Sequence, residues 1–99
     1  MVIEWLKIRV APEQRNLYLE TDAKIWTPAL QQYPGFIDKA VWLDPAEPAE
    51  IVFVIRWETR SQWKSIPVEA LDRVTQAFDQ AFALDYELVE EKEYCPQED

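Results

Sequence analysis

The 99-residue chain contains no histidine, a single cysteine and a single glycine. Without histidine there is no imidazole to ligate haem or a metal ion. With one glycine the chain has no Gly-rich loop to hold a phosphate group. The lone Cys95 cannot form an internal disulfide and lies in no metal-binding or nucleophile motif. We therefore expect no cofactor and no metal, and we interpret Cys95 as a bystander thiol.

Basic residues are also few, and the formal net charge is −9. Most of the excess negative charge lies in residues 85–99, where seven acids face the single base Lys92. Phosphate backbones and anionic lipids are bound through clustered Lys and Arg, which this chain lacks. We expect no nucleic-acid partner and no membrane partner, and we interpret the acidic end as a solvated surface.

Long apolar runs and a secretory signal are absent as well, so the sequence predicts a cytoplasmic protein. Hydrophobic residues still make up 48% of the chain and include five tryptophans, which is enough to build a core. The length suits one domain that spans residues 1–99 without a linker.

Hydrophobic periodicity predicts the order β-α-β-β-α-β, with a short extra helix before the last long one. Strands are predicted at residues 2–10, 36–44, 51–58 and 85–94, and helices at residues 12–33, 60–66 and 68–84. In the first helix the predicted buried stripe comprises Leu19, Ala23, Trp26, Leu30 and Tyr33. Pro28 lies inside that helix and predicts a kink or a break. In the last strand, Tyr86, Leu88 and Tyr94 are predicted to share one face.

This order predicts an α+β, ferredoxin-like fold, in which two helices pack on one face of a four-stranded antiparallel sheet. The third strand is apolar on both faces from Ile51 to Ile55. A strand of this kind needs cover on both sides. We therefore expect a homodimer that packs through the open sheet face, with Trp5 on the dimer side.

Three short motifs carry a family resemblance: Tyr33-Pro34-Gly35-Phe36, Trp42-Leu43-Asp44-Pro45, and Arg56-Trp57-Glu58-Thr59 followed by Trp63. Their order and spacing resemble the antibiotic-biosynthesis-monooxygenase-like group of dimeric α/β barrels, and within it a small cyanobacterial family. The resemblance implies a dimeric barrel with one pocket per subunit, between the sheet and the helices. Members of the group oxidise aromatic polyketides without a cofactor or degrade haem.

The haem-degrading branch of that group uses an asparagine on the first strand, a tryptophan near the short helix and a histidine on the last helix. In this chain the matching positions hold Glu4, Ile66 and Gln76. Because the chain has no histidine, we reject the haem branch. The resemblance leaves Ile66 and Gln76 as candidate substrate-binding positions.

In cofactor-free oxygenation the protein binds an electron-rich aromatic molecule, helps to deprotonate it and lets the carbanion meet oxygen in a dry cavity. The resemblance gives this chain candidate substrate-binding residues: Trp26, Tyr33, Arg56, Trp57 and Trp63. Glu4 is the candidate general base, because it shares the strand face of Val2 and Leu6. Burial on that face would raise the pKa of its carboxyl.

Each candidate also has a structural interpretation. Glu4 could reach solvent or pair with a lysine or arginine, the tryptophans could simply fill the core, and Arg56 could pair with a carboxylate across the dimer. The sequence therefore leaves two functions open. One is a cofactor-independent, monooxygenase-like enzyme acting on a small hydrophobic aromatic molecule, and the other is a non-catalytic ligand-binding or structural homodimer.

Overall fold

The structure is a computed structural model that describes residues 1–97, and it is built on a four-stranded antiparallel sheet. The strands are β1 (Val2–Val10), β2 (Phe36–Trp42), β3 (Glu50–Trp57) and β4 (Tyr86–Tyr94). The helices are α1 (Arg15–Gln31), α2 (Arg60–Lys64) and α3 (Val68–Phe82), with a 3-10 turn at Pro12–Gln14. The strand order is β2-β3-β1-β4. This confirms the predicted ferredoxin-like α+β fold.

Both long helices pack on the same face of the sheet. Alternate residues of a strand point to opposite faces, and the inward residues of β3 are almost fully buried: Ile51, Phe53, Ile55 and Trp57. On α3, Phe78 and Phe82 are buried in the same core. None of the helices within residues 1–97 has the length and apolar character needed to cross a membrane.

The opposite face of the sheet carries a patch of apolar side chains among charged ones. The β1–β3 register pairs Trp5 with Val54 and Lys7 with Val52, which places these four side chains on the side away from the helices. Trp42 at the end of β2 pairs with Val52 on the same face and is 57% exposed. The two-sided apolar character predicted for the third strand is thus present.

The buried face of α1 differs from the predicted stripe. Its fully buried residues are Tyr18, Thr21, Asp22 and Leu30, whereas Ala23 is exposed. Tyr18 sets this orientation, because its ring packs edge-on against Phe78 and Phe82 with centroid distances of 4.9 and 5.2 Å. The prediction for Ala23 was wrong because the helix turns to bury a large aromatic ring.

Pro28 does not break α1, which continues through it from Arg15 to Gln31. The proline ring lies at an exposed position. The helix also starts three residues later than predicted, because Pro12–Gln14 form a 3-10 turn.

Strand β4 contains a β-bulge that changes which side chains face the helices. Ile8 pairs with Leu88, but the next residue, Lys7, pairs with Glu90, so Val89 is an extra residue in the ladder. Tyr86 and Leu88 therefore face the helices, whereas Tyr94 pairs with Ile3 on the other face. The prediction that all three share a face was wrong for this reason. The bulge also turns Glu91 and Glu93 towards the helix side.

Gly35 ends the turn after α1 with a backbone conformation that favours glycine, at φ 93°. Its carbonyl accepts a 2.7 Å hydrogen bond from the Glu58 amide. A Cβ at this position would lie 2.5 Å from Oε1 and 2.8 Å from Cβ of Gln62. The turn therefore has room for no side chain.

We predict that Gly35→Ala lowers the free energy of unfolding by about 2 kcal/mol, because it combines a left-handed backbone with a clash against Gln62. The matched control is Ala83→Gly, since Ala83 caps α3 at φ 56° and should gain up to about 1 kcal/mol from glycine. Urea unfolding of both variants measures the difference. Equal effects of the two substitutions would contradict the role of backbone conformation.

Candidate functional site

A cavity of about 320 Å³ lies between the sheet and the two long helices. Its wall is mainly apolar and aromatic, and includes Tyr18, Trp26, Leu30, Phe53, Ile55 and Leu88. Ligand pockets in proteins range from about 300 to 1,000 Å³. The cavity therefore suits a small hydrophobic molecule.

A buried ion pair interrupts this apolar wall. Lys39 Nζ lies 2.6 Å from Asp22 Oδ2, and the two side chains are only 6% and 8% exposed. The ammonium group also donates to Thr27 Oγ1 at 3.0 Å and lies 4.8 Å from the centroid of the Phe53 ring. The pair joins β2 to α1 at the edge of the cavity. Burial raises the pKa of the Asp22 carboxyl, and the charge and hydrogen bond of Lys39 oppose that rise.

Glu4 lies on the helix side of β1, as its position in the strand pattern predicts. Its Oε1 accepts a 3.2 Å hydrogen bond from Trp57 Nε1, which satisfies the indole of a side chain with no exposed surface. Burial raises the pKa of the Glu4 carboxyl, while the Trp57 hydrogen bond and the charges of Lys64 and Lys39 oppose the rise. The carboxyl therefore holds its proton more tightly than an exposed glutamate does.

The Glu4 carboxyl lines a second pocket of about 220 Å³, beside Trp63, Lys64 and Glu93. Leu6 and Glu91 line both this pocket and the apolar cavity. The two spaces therefore adjoin. A raised-pKa acid stands next to an apolar compartment, which is an arrangement suited to proton transfer to or from a bound molecule.

The candidates from the sequence are spread over several places. Trp26 lines the apolar cavity, and Trp63 lies beside Glu4. Tyr33 and Ile66 line a separate depression of about 180 Å³ near the Gly35 turn. Trp57 is enclosed in the core and reaches the site through its hydrogen bond to Glu4.

Arg56 and Gln76 lie outside these pockets. Arg56 is on the open face of the sheet, where Nε donates to Asp38 Oδ1 at 2.7 Å and Nη2 donates to Asp38 Oδ2. These hydrogen bonds lower the pKa of the Asp38 carboxyl. The carboxylate partner expected across a dimer is thus found within the same chain. Gln76 is exposed on α3.

The Asp22–Lys39 pair was not predicted from the sequence. Two observations indicate the pair. Tyr18, Asp22 and Trp26 are spaced four residues apart, so one acid lies within an apolar helical stripe. Lys39 pairs with the inward residue Ile55 in the β2–β3 ladder. Within residues 1–97, no three His, Cys, Asp or Glu side chains are grouped so that they could hold a metal ion.

The model of the antibiotic biosynthesis monooxygenase family matches residues 1–65. The chain belongs to this family. A search of curated proteins gave no significant match for it.

Several solved structures have a similar fold, and the matches cover nearly the whole of this chain. A Deinococcus radiodurans protein of the antibiotic-biosynthesis-monooxygenase type has a TM-score of 0.72 and 20% identity, and the match covers 100% of this chain and 95% of that one. A similar Bordetella bronchiseptica protein has a TM-score of 0.75 and 16% identity, with coverage of 97% and 96%. A cofactor-independent oxygenase from Streptomyces nogalater has a TM-score of 0.62 and 15% identity, with coverage of 99% and 94%.

We predict that the free energy of unfolding of Glu4→Gln, measured relative to that of the wild type, increases as the pH rises. A carboxyl with a raised pKa contributes stability below its ordinary value of 4.5 and loses that contribution as the pH rises through the folded value. Glutamine keeps the acceptor for Trp57 Nε1 but carries no charge at any pH. Urea unfolding of both proteins at about pH 4 and about pH 8 measures the change.

The matched control is Glu47→Gln, because Glu47 lies in the exposed connection between β2 and β3. A stability difference between wild type and Glu4→Gln that stays constant across this range would show that the Glu4 carboxyl titrates as an exposed one.

Proposed function

We propose that the chain is a cofactor-independent, monooxygenase-like enzyme that acts on a small hydrophobic aromatic molecule, with Glu4 as its general base. The observation that carries this proposal is the position of Glu4, a carboxyl with a raised pKa beside an apolar cavity. Family membership supports the reaction class. The Streptomyces nogalater oxygenase supports it further, since it works on the same fold without a cofactor.

The reaction needs only a base, a dry site and molecular oxygen. Glu4 takes a proton from an activated CH₂ group of the substrate, and the resulting carbanion reacts with O₂ to give a hydroperoxide after protonation. Loss of water from the hydroperoxide leaves a carbonyl group. One oxygen atom enters the product and the other leaves as water, with the substrate supplying all four electrons. The Trp57 hydrogen bond orients the carboxyl during the proton transfer.

In this proposal the ligand contacts come from two tryptophans. Trp26 provides an aromatic wall of the apolar cavity, and Trp63 provides one beside Glu4. Tyr33 and Ile66 line the separate depression near the Gly35 turn, so a ligand contact from either of them stays a prediction from the sequence. A cytoplasmic location and membership of the small cyanobacterial branch remain predictions from the sequence.

We also propose that two subunits pack their open sheet faces together as a dimeric barrel. The exposed Trp42 and the half-buried Trp5 and Val52 on the same face support this arrangement, because apolar side chains of this kind gain from being covered. The second candidate function is a non-catalytic binding or structural homodimer. It is favoured by the positions of Trp57 and Ile66, which fill core volume rather than line the cavity beside Trp26.

We predict that the purified protein accelerates oxygen consumption by anthrones or related hydroxyaromatic compounds. Glu4→Gln should lower the rate by about 10²-fold to 10⁴-fold, the usual contribution of a positioned base, whereas Glu47→Gln should not change it. An oxygen electrode measures the rates. An uncatalysed rate for every compound tested, or full activity of Glu4→Gln, would favour the non-catalytic homodimer.

We predict that Val54→Glu dissociates the dimer, because a two-fold interface would bring two new carboxylates together on an apolar face. Phe53 faces the helices, so a charge there would test the core and not the interface. Sedimentation at micromolar concentration measures the mass, and Leu17→Glu on the exposed side of α1 is the control. A monomeric wild type, or an unchanged mass of a folded Val54→Glu variant, would contradict the interface.

A further inference from the structure

The Asp22–Lys39 pair is an unusual way to connect a strand to a helix. Two charges lose their water when they are buried, and this cost often equals or exceeds their mutual attraction. Apolar side chains at both positions would join β2 to α1 without that cost. The pair also lies in the wall of a cavity rather than in solid core. These facts together indicate that the charges act on something inside the cavity.

The pair has unused hydrogen-bonding capacity. An ammonium group has three N–H donors, and Lys39 uses two of them on Asp22 Oδ2 and Thr27 Oγ1. Among residues 1–97, no donor forms a hydrogen bond to the other carboxylate oxygen, Asp22 Oδ1. One N–H of Lys39 and one oxygen of Asp22 therefore have no hydrogen-bond partner among residues 1–97, and both residues line the apolar cavity.

The net charge of the Asp22–Lys39 pair determines which kind of ligand group can bind beside it. The pair is neutral as a whole, so it supplies no net charge to offset the cost of burying an anionic or a cationic ligand beside it. A neutral hydroxyl group can accept a hydrogen bond from the ammonium and donate one to the carboxylate at the same time. Apart from Thr75 and Glu91, the rest of the wall is apolar or aromatic, which suits a flat ring system.

We propose that the Asp22–Lys39 pair binds the hydroxyl group of a fused-ring phenol or enol held in the apolar cavity. This deepens the proposed function and rests on it only in placing a small aromatic molecule there. The pair is then a positioning site, separate from the base. Lys39 and Glu4 both pair with the inward residue Ile55, from the two strands on either side of β3. A molecule held by its hydroxyl at Lys39 therefore lies near Glu4.

Binding of three naphthalene derivatives tests the proposal. 1-Naphthol, naphthalene and 1-naphthoate share the same two rings and differ in carrying a hydroxyl, nothing or a carboxylate. We expect the wild type to bind 1-naphthol about tenfold or more tightly than either of the others. Titrations followed by amide NMR give the affinities and show which residues respond. Shifts should centre on Tyr18, Asp22, Trp26 and Lys39.

The variant Asp22→Asn/Lys39→Met removes both charges together, which avoids leaving one of them buried without its partner. It should keep its affinity for naphthalene and lose the preference for 1-naphthol. The matched control is Asp38→Asn, which removes the neighbouring carboxylate on the opposite face of β2 and should keep the preference. Thermal unfolding establishes that each variant is folded.

Several outcomes would overturn the proposal. Equal affinities for 1-naphthol and naphthalene, tighter binding of 1-naphthoate, or a preference that survives in the double variant would each do so. If the double variant does not fold, the wild-type comparison of the three ligands and the NMR map still decide. Failure of the proposed reaction can be told apart from failure of this binding proposal. The reaction is tested by oxygen consumption, whereas the binding proposal is tested by the preference for 1-naphthol, which Glu4→Gln should retain.

Discussion

Burial of the inward face of β3 is the constraint on which the rest of the structure depends. Ile51, Ile55 and Trp57 are at most 2% exposed, and both long helices pack on this face. A fully buried indole needs an acceptor for its N–H group. Glu4 on the neighbouring strand supplies it. The raised pKa of the Glu4 carboxyl is therefore a direct consequence of how the core is packed.

The elements that depend on local pattern could be predicted from the sequence. The apolar run of β3, the place of Glu4 on the face of Val2 and Leu6 in β1, and the order of the elements all predicted the fold correctly. The face of α1 could not be predicted in the same way, because its buried Asp22 is compensated by Lys39, which is distant in sequence. The β4 bulge was missed because periodicity alone does not reveal an extra residue.

In the candidate site, too, the features that follow from local sequence pattern were predicted, and those that depend on distant residues were not. The inward position of Glu4 followed from its place in the β1 pattern, and its raised pKa followed from burial. Lys39 was missed because a lysine in a short strand is usually solvated, and its burial depends on a partner from another element. The partner of Arg56 was misjudged because Asp38 and Arg56 come together only in the β2–β3 register.

The extra residue in β4 has an electrostatic consequence for the site. With the bulge, Glu93 pairs with Glu4 and Glu91 pairs with Leu6 on the inner face. If the ladder ran on from Leu88 without it, Lys92 would take the place beside Glu4 and form an ion pair. That neighbour would favour loss of the proton, whereas Glu91 favours its retention. A single inserted residue in an edge strand thus adds to the raised pKa that burial gives to a side chain on the next strand.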